Sequence, residues 1–512
     1  MRKVLLYICS VFILGGMTSC EDFLDKREDV GLTEDDIFRD YYSLRGFLDQ
    51  SFNQLENVMV MDNWENGRAF VGLFADEMAT TDNSSAVFTL HSGNWLSNAK
   101  SNKTFEIGNA GSTAISRSYK ALRINNRIIN DIDKAPLTPE QKNEILGQAY
   151  FYRSWFYFQI IKRYGGMPII DKVFEGGDDD IPRMTYHESH DWMMEDIQKA
   201  IYMLPDSWDD PNYGRPTKIA AMALKEWAQL FDASPLMQND LNSTENKGYD
   251  TERAKSAAKS AYEVIRYMDG SKSAPYPYGL ASKEEYTNVF YFKYPPVHQP
   301  EYIWVKRQFP NAANQNQKRT IRTFWQYEDL AFGSGPDGNS MCCPSLNIVN
   351  MFDKKGADGI YYPIDDPRSG YALDYDHKPF EDRDPRFYNN ILLPGTTWGH
   401  YADGRTYYIT TYKGGAAYQH MLTQKDCNKR MFTGFMCKKF MWPECNQYLE
   451  KNNPNCWWDY RFLTIYIRAS QIYLDYAEAL FEGCGSATAT IEGCPISAAE
   501  AINILRRRIG LT

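Results

Sequence analysis

TPEQKNEILGQAYFYRSWFYFQIIKRYGGMP, residues Thr138–Pro168, decides the fold. Both of its ends are spelled out. Thr138 can cap a helix, Pro139 suits the first helical position, and Gln141 stands three residues on to close a capping box. Gly165 and Gly166 can take the left-handed terminal conformation, and Pro168 forbids continuation. About 26 residues at 1.5 Å rise make a rod of roughly 39 Å. On a helical wheel Gln148, Gln159, Lys162 and Arg163 share one narrow stripe, while Tyr150, Phe151, Trp155, Phe156, Tyr157, Ile160 and Ile161 cover most of the remainder. A helix this apolar must be packed on several sides. Arg153 lies opposite the polar stripe and is expected to reach a carboxylate or a helix C-terminus.

Outward from this rod, helical spacing recurs. Tyr41–Gln54 places Leu44, Phe47, Leu48 and Phe52 on one face, and Ile115–Asp133 does the same with Tyr119, Leu122, Ile128, Ile129 and Ile132. A short Pro-containing turn makes the latter an antiparallel partner of the central helix. Thr185 and Glu188 form a second capping box, and Thr217 and Asp250 cap two further helices. Thr464–Glu482 reads as a helix ending at Gly483, and Ser497–Glu500 as a third capping box opening the last one. Ala-rich and bulky helices alternating in pairs resemble tetratricopeptide units, whose stacking buries a shared core and leaves concave surfaces.

Several stretches carry a more specific resemblance. GQAYFYRSWFYFQIIKRYGGMPII, IPRMTYHESHDWMMEDIQKAIYMLP, GRPTKIAAMALKEWAQLFDASPLMQ, SLNIVNMFDKKGADG, FEDRDPRFYNNILLPG and YIRASQIYLDYAEAL with AINILRRRIGLT resemble, in order, the SusD-like (RagB/SusD) family of surface nutrient-binding lipoproteins of Bacteroidetes. The resemblance runs from Cys20 to Thr512. It implies a mainly α fold, a tetratricopeptide-like helical scaffold (SusD-like) with a large irregular insertion containing a few short strands. Family members usually continue past the AIN…R-x-R-x-G-L segment, so a chain ending at Thr512 is expected to be truncated.

The chain's start reads as an address. Arg2 and Lys3 precede an apolar run, Val4–Leu14, and then GGMTSC. The run is too short to span a bilayer as a helix. Residues 1–19 resemble a lipoprotein signal peptide, with Cys20 as the lipidated first residue and Glu21 and Asp22 resembling an acidic surface-export signal. Residues 20–36 read as an acidic tether. Residues 37–269 then form the first helical part, 270–455 an irregular ligand-bearing insertion, and 456–512 the closing helical repeat. Losing Arg2 and Lys3 takes the net charge from −10 to about −12, a surface that does not favour nucleic acid.

Within the insertion, residues 301–308, 406–413 and 435–442 read as short strands, and Pro, Gly, Tyr and Asn are frequent. Ten Cys occur; with Cys9 and Cys20 set aside, none shows the C-x-x-C spacing of a zinc site. An oxidising compartment permits bridges, and Cys484 with Cys494 would close a loop between two helices.

Sugar rings offer apolar C–H faces and hydroxyls, so a glycan site wants exposed Trp or Tyr beside Asn, Asp or Arg. Trp155, Trp192, Trp227 and Trp304 lie in regular elements and read as core. Trp95 with Asn98 (GNWLSNAK), Trp325 with Tyr327 (FWQYED) and Trp398 (TTWGHY) lie in polar or Gly-rich contexts. In the family the ligand is held by aromatics from comparable early and mid-chain loops, which implies Trp95, Asn98, Trp325 and Tyr327. Gly333–Gly338 matches G-x-G-x-x-G without a preceding strand, and Pro336 blocks its turn. His187-Glu188-Ser189-His190 has its histidines three apart, not four, so it is not a zinc-protease helix. Asp178, Asp179 and Asp180 read as a solvated loop, with a calcium ion as the lesser alternative. Arg383-Asp384-Pro385-Arg386 resembles a family motif that fixes a loop through ion pairs. No cofactor, resident metal or catalytic group is expected. The resemblance implies non-catalytic glycan binding at the outer membrane and delivery to a SusC-like TonB-dependent transporter. A peptide or other nutrient is the alternative ligand. A surface glycoside hydrolase is the alternative of a different class, since such an enzyme can act through carboxylates alone.

Overall fold

The computed structural model describes residues 33–55, 75–79, 114–174, 180–238, 247–273, 276–290, 299–308, 343–374, 378–400, 406–415, 433–439 and 462–511. Its long helices are α1 (Tyr41–Gln54), α2 (Ala114–Asp131), α3 (Pro139–Tyr164), α4 (Tyr186–Met203), α5 (Lys218–Ala233), α6 (Thr251–Gly270), α7 (Ala469–Cys484) and α8 (Ala498–Arg508).

The central helix α3 forms as its residues dictate. The Thr138 hydroxyl accepts from Gln141 N at 3.3 Å while the Gln141 side chain accepts from Thr138 N at 3.0 Å. At the other end Gly165 turns out at φ 77° and donates to Ile161 O. Gln148 and Gln159, expected on a polar stripe, are buried as well, so only Lys162 and Arg163 of that stripe keep contact with water. Ring contacts bind α3 to its neighbours. Trp155 meets Trp304 at 4.7 Å and Trp227 at 6.0 Å, and Tyr157 meets Trp192 at 4.8 Å. Each large side chain taken from water here contributes roughly 1.5–3 kcal/mol. Arg153 finds the carboxylate its position demanded. Its Nε and Nη2 donate to Asp196 of α4 at 2.6 and 2.9 Å, and its Nη1 donates to Asn126 of α2 at 3.0 Å.

Each helix packs on the next in chain order, from α1 through α8. This is a stack of four antiparallel pairs. Between α6 and α7 the stack is interrupted in sequence but not in space, because α6 packs directly on α7 across the whole insertion. Two long strands, β2 (Tyr302–Gln308) and β10 (Phe462–Arg468), pair antiparallel against the stack and close the base of that insertion. Trp304 of β2 and Tyr466 of β10 lie 4.6 Å apart and belong to the main core.

Four local expectations are corrected. Residues 464–468 are strand, not the start of α7. Thr464, Ile465 and Ile467 are β-branched, and pairing with Lys306, Val305 and Trp304 outweighs the helical spacing that follows. Accordingly α7 runs to Cys484 and is capped by left-handed Gly485 instead of ending at Gly483. Thr217 occupies the cap position of α5, but its hydroxyl makes no cap hydrogen bond. Ser497 caps α8, yet Glu500 closes no box, because its carboxylate is held by Arg507. Upstream of α1, Thr33 caps the helical turn Glu34–Phe38 through a complete box with Asp36, and Ile37 and Phe38 are buried.

The insertion is built from short ladders. β1 (Met78–Ala79) pairs with β3 (Cys343–Pro344), β4 (Lys354–Lys355) with β5 (Tyr361–Tyr362), β6 (Ile391–Leu392) with β9 (Met436–Cys437), and β7 (Thr397–His400) with β8 (Thr406–Tyr408). Strands are thus present at 302–308, 406–408 and 436–437, shorter than the last two stretches expected. Val349, Phe387 and Ile391 form a small core of their own. Buried Arg383 fixes this unit by donating to the carbonyls of Val349, Phe352 and Pro379, and Arg386 forms an ion pair with buried Asp384. The motif therefore works mainly through backbone carbonyls and only partly through ion pairs.

Candidate functional site

The frame does one thing that the sequence did not announce: it gathers the ends of the segments that bear the candidate aromatics. Segment 80–113, with Trp95 and Asn98, leaves the frame after Ala79. Segment 309–342, with Trp325 and Tyr327, rejoins it at Cys343. Ala79 and Cys343 are register partners on β1 and β3. Ser345 reinforces this junction, its N–H donating to Glu77 O at 2.9 Å and its hydroxyl to Asp76 O.

Segment 309–342 departs from Gln308, at the end of β2, and segment 80–113 arrives at α2. Lys306 of β2 is tied to the end of α1. Its Nζ donates to Leu55 O at 2.9 Å and sits 5.3 Å from the Phe52 ring, and the charge of Arg117 in the first turn of α2 acts on it. Burial, assisted by that like charge, pushes the Lys306 ammonium down to about 7. The two aromatic-bearing segments share one root, the β1–β3 junction. A third segment, 440–461, arrives at Phe462, the register partner of Gln308. It carries Trp442, Trp457 and Trp458, which the sequence reading did not weigh. Only the long-range pairing of β2 with β10 points to it.

Trp95, Asn98, Trp325 and Tyr327 themselves lie outside the described residues, as do Cys20, Asp178, Asp179 and the Gly333–Gly338 stretch. Trp398 stands on β7, in a hairpin with its own two-stranded ladder, separate from β1–β3 and β2–β10. Cys484 and Cys494 are thiols and not a disulfide. Cys484 ends α7 against a left-handed glycine, whereas Cys494 is buried beside the Tyr476 hydroxyl and fixed by a bridge to Ile491.

Titratable clusters among the described residues do structural work. Glu226 of α5 is fully buried, and burial with the nearby Asp475 carboxyl raises it well above the usual range. Asp475 of α7 is pushed up to about 7, chiefly by burial. The pair lies between the packed helices α5 and α7. His187 and His190 turn to Asp232, at 2.6 and 3.5 Å, where Arg253 also pairs. No group of three or more metal-ligating side chains is disposed to hold an ion among the described residues.

Comparison with known proteins agrees with this architecture at both ends of the chain. The family model described as "Starch-binding associating with outer membrane" (SusD-like) matches residues 22–226, and the model of the SusD family (SusD/RagB) matches residues 300–512. No curated protein matches by sequence. Among solved structures, a SusD-like protein from Bacteroides fragilis superposes with a TM-score of 0.65 at 21% identity, covering 94% of this chain and 81% of its own. A SusD-like carbohydrate binding protein from the same species gives 0.60 at 18% identity, covering 92% and 83%. Surface glycan-binding protein A from Bacteroides fluxus gives 0.55 at 15% identity, covering 92% and 82%. At these identities the superpositions speak to the fold.

Proposed function

The chain belongs to the SusD/RagB family, and from that premise we propose that it binds glycans at the cell surface without cutting them and delivers them to a SusC-like TonB-dependent transporter in the outer membrane. Lipid on Cys20 would anchor it there, facing outward. The observation that supports the reading is the shared root of the two aromatic-bearing segments at Ala79–Cys343. Segments that share a root would be able to present their rings to a common surface. Indole and phenol faces stack on sugar C–H faces, and Asn98 supplies the paired donor and acceptor that hydroxyls need. Trp95, Asn98, Trp325 and Tyr327 are the proposed contacts, with Trp398 on β7 as an outlying one.

The test is titration of the lipid-free protein against a glycan panel, alone and with Trp95→Ala and Trp325→Ala combined. Base stacking on aromatic side chains is worth about 1–3 kcal/mol per ring. A sugar face on comparable rings is expected to weaken by about tenfold or more when both are removed. Undiminished binding in the double variant rejects the site. Release of reducing ends by the purified protein would instead point to a hydrolase. Binding confined to peptides would move the ligand class while keeping the capture role.

A further inference from the structure

Two of the insertion's ladders meet at a pair of thiols. Cys343 lies on β3, opposite Ala79 of β1, and Cys437 lies on β9, opposite Ile391 of β6. β3 and β9 belong to separate ladders, yet they pack on each other. Each is two residues long, and every Cα of one lies within 8 Å of both in the other. Bridged cysteines hold their Cα atoms about 4.4–6.8 Å apart. Cys343 and Cys437 therefore stand at bridging distance or within a small adjustment of it. Both strands are buried along their whole length, and the two cysteines are 0% and 2% exposed.

Both are thiols in this structure. Burial pushes the Cys437 thiol up to about 12, and the neighbouring Cys343 adds to the rise. The thiolate is the form that attacks, so a thiol this little ionised is inert. A bond between the two therefore has to close while the chain folds, before the strands are buried. Closing it gives up only a weak donor, the Cys437 thiol that points at Lys439 O from 3.1 Å. It joins places roughly 90 residues apart in the chain, so it removes much freedom from the unfolded state. One place is the β1–β3 junction. The other is the small core of the insertion, to which Ile391 belongs and on which Phe435 packs. The remaining described cysteines, Cys484 and Cys494, lie at the main core instead.

We propose that Cys343 and Cys437 form a disulfide when the chain folds under oxidising conditions, clamping the β1–β3 junction to the small core of the insertion. The oxidant is another disulfide, of the C-x-x-C protein or glutathione class. One cysteine thiolate attacks it, making a mixed disulfide and releasing one thiol. The second thiolate attacks the mixed disulfide, closing the Cys343–Cys437 bond and releasing the other thiol. The pair loses two electrons and two protons, and the oxidant becomes two thiols. Export would supply such a compartment. The bond itself does not depend on what the protein binds.

The experiment exports the lipid-free protein to a bacterial periplasm, so that it folds against a C-x-x-C oxidant. Remaining thiols are alkylated in denaturant without reductant, and the tryptic peptides are read by mass spectrometry. Cys437 is the only cysteine in peptide 431–438, and Cys343 shares peptide 323–354 with Cys342. Most of peptide 431–438 is expected to be missing from the unreduced digest, to appear joined to 323–354, and to return on reduction. The joined species should persist in Cys342→Ser and vanish in Cys343→Ser. Backbone fragmentation between the two adjacent cysteines makes the same assignment in unmodified protein, so the result stands even if a variant fails to fold. Recovery of 431–438 in alkylated form overturns the proposal. So does its linkage to any peptide other than 323–354, or a bond that falls on Cys342.

Discussion

Removing the Asp196 carboxylate should cost this protein about 4 kcal/mol, through the general penalty for orphaning a buried charge. The Arg153 and Asp196 side chains are 6% and 2% exposed and share two hydrogen bonds, at 2.6 and 2.9 Å. Breaking one partner of such a pair costs about 3–5 kcal/mol, because the other is left charged and dry. In Asp196→Ala, Arg153 keeps Asn126 at 3.0 Å and the faces of Trp192 and Tyr150 at 5.2 and 5.5 Å. None of these carries a full negative charge, so the loss lies in the middle of the range. Arg153→Met should cost nearer 3 kcal/mol, because Lys199 stands 3.5 Å from the abandoned carboxylate and is exposed enough to swing in. Replacing both, as Arg153→Met with Asp196→Leu, should cost only about 1 kcal/mol, since a dry apolar pair needs no partner. Urea unfolding followed by tryptophan fluorescence measures all three. A chain of 512 residues unfolds with an entropy of about 1.1 kcal/mol/K, so 4 kcal/mol is only about 4 °C in a melting curve, and the denaturant midpoint is the sharper readout. The reasoning fails if Asp196→Ala costs under about 1 kcal/mol, or if the double variant costs the sum of the singles.

Glu301→Gln should destabilise by about 3 kcal/mol in the same assay, because buried Glu301 answers Arg508 at 2.8 Å, Arg468 at 3.2 Å and the Ala281 N–H at 3.0 Å, and an amide leaves two guanidiniums without a counter-charge. Gly166→Ala should cost about 3 kcal/mol, since a Cβ there would run into the backbone of Met184 and Thr185, whereas Gly46→Ala on α1 meets open space and should gain about 0.5–1 kcal/mol. Asp475 gives a pH signature. Its folded value, about 7, lies above the ordinary 3.8, so the native state holds a proton that the unfolded chain has lost; its stabilising share is complete below about pH 4 and fades as pH rises through about 7. Asp475→Asn should therefore flatten the decline in denaturation midpoint between pH 4 and 7, and an unchanged slope refutes the assignment.

What could be read from the residues alone was whatever is decided within a turn or two of chain. The boxes at Thr138 and Thr185 and the glycine stop at Gly165 were legible, because cap and partner are three or four residues apart. Arg153 was legible by half: its wheel position demanded a carboxylate, but only the packing of α3 on α4 names Asp196. Thr464–Ile467 misled because its β-branched residues also fit helical spacing, and the strand that decides the matter begins at Tyr302. The candidate site was less legible still. Its aromatics could be nominated from local context, yet what relates their segments is Ala79 opposite Cys343, a pairing across some 260 residues that leaves no mark in composition or spacing.

Those distant contacts explain how one chain can keep a fixed stack and a variable surface together. Because α6 packs on α7 directly, the insertion is a loop thrown out of an otherwise continuous solenoid. Doubling such a loop adds only about 0.6 kcal/mol of closure cost, so its length is nearly free to change. Freedom of length would be useless for recognition if the loop ends wandered, since ordering mobile segments around a sugar consumes much of a weak stacking energy. The β2–β10 clasp and the β1–β3 junction meet that need at small expense, with seven residues in each clasp strand and two in each junction strand. They fix Ala79, Gln308, Cys343 and Phe462, four of the points where these segments leave or rejoin the frame. A rigid stack with clasped loops therefore separates the part of the chain that holds the fold from the part whose length is free to change.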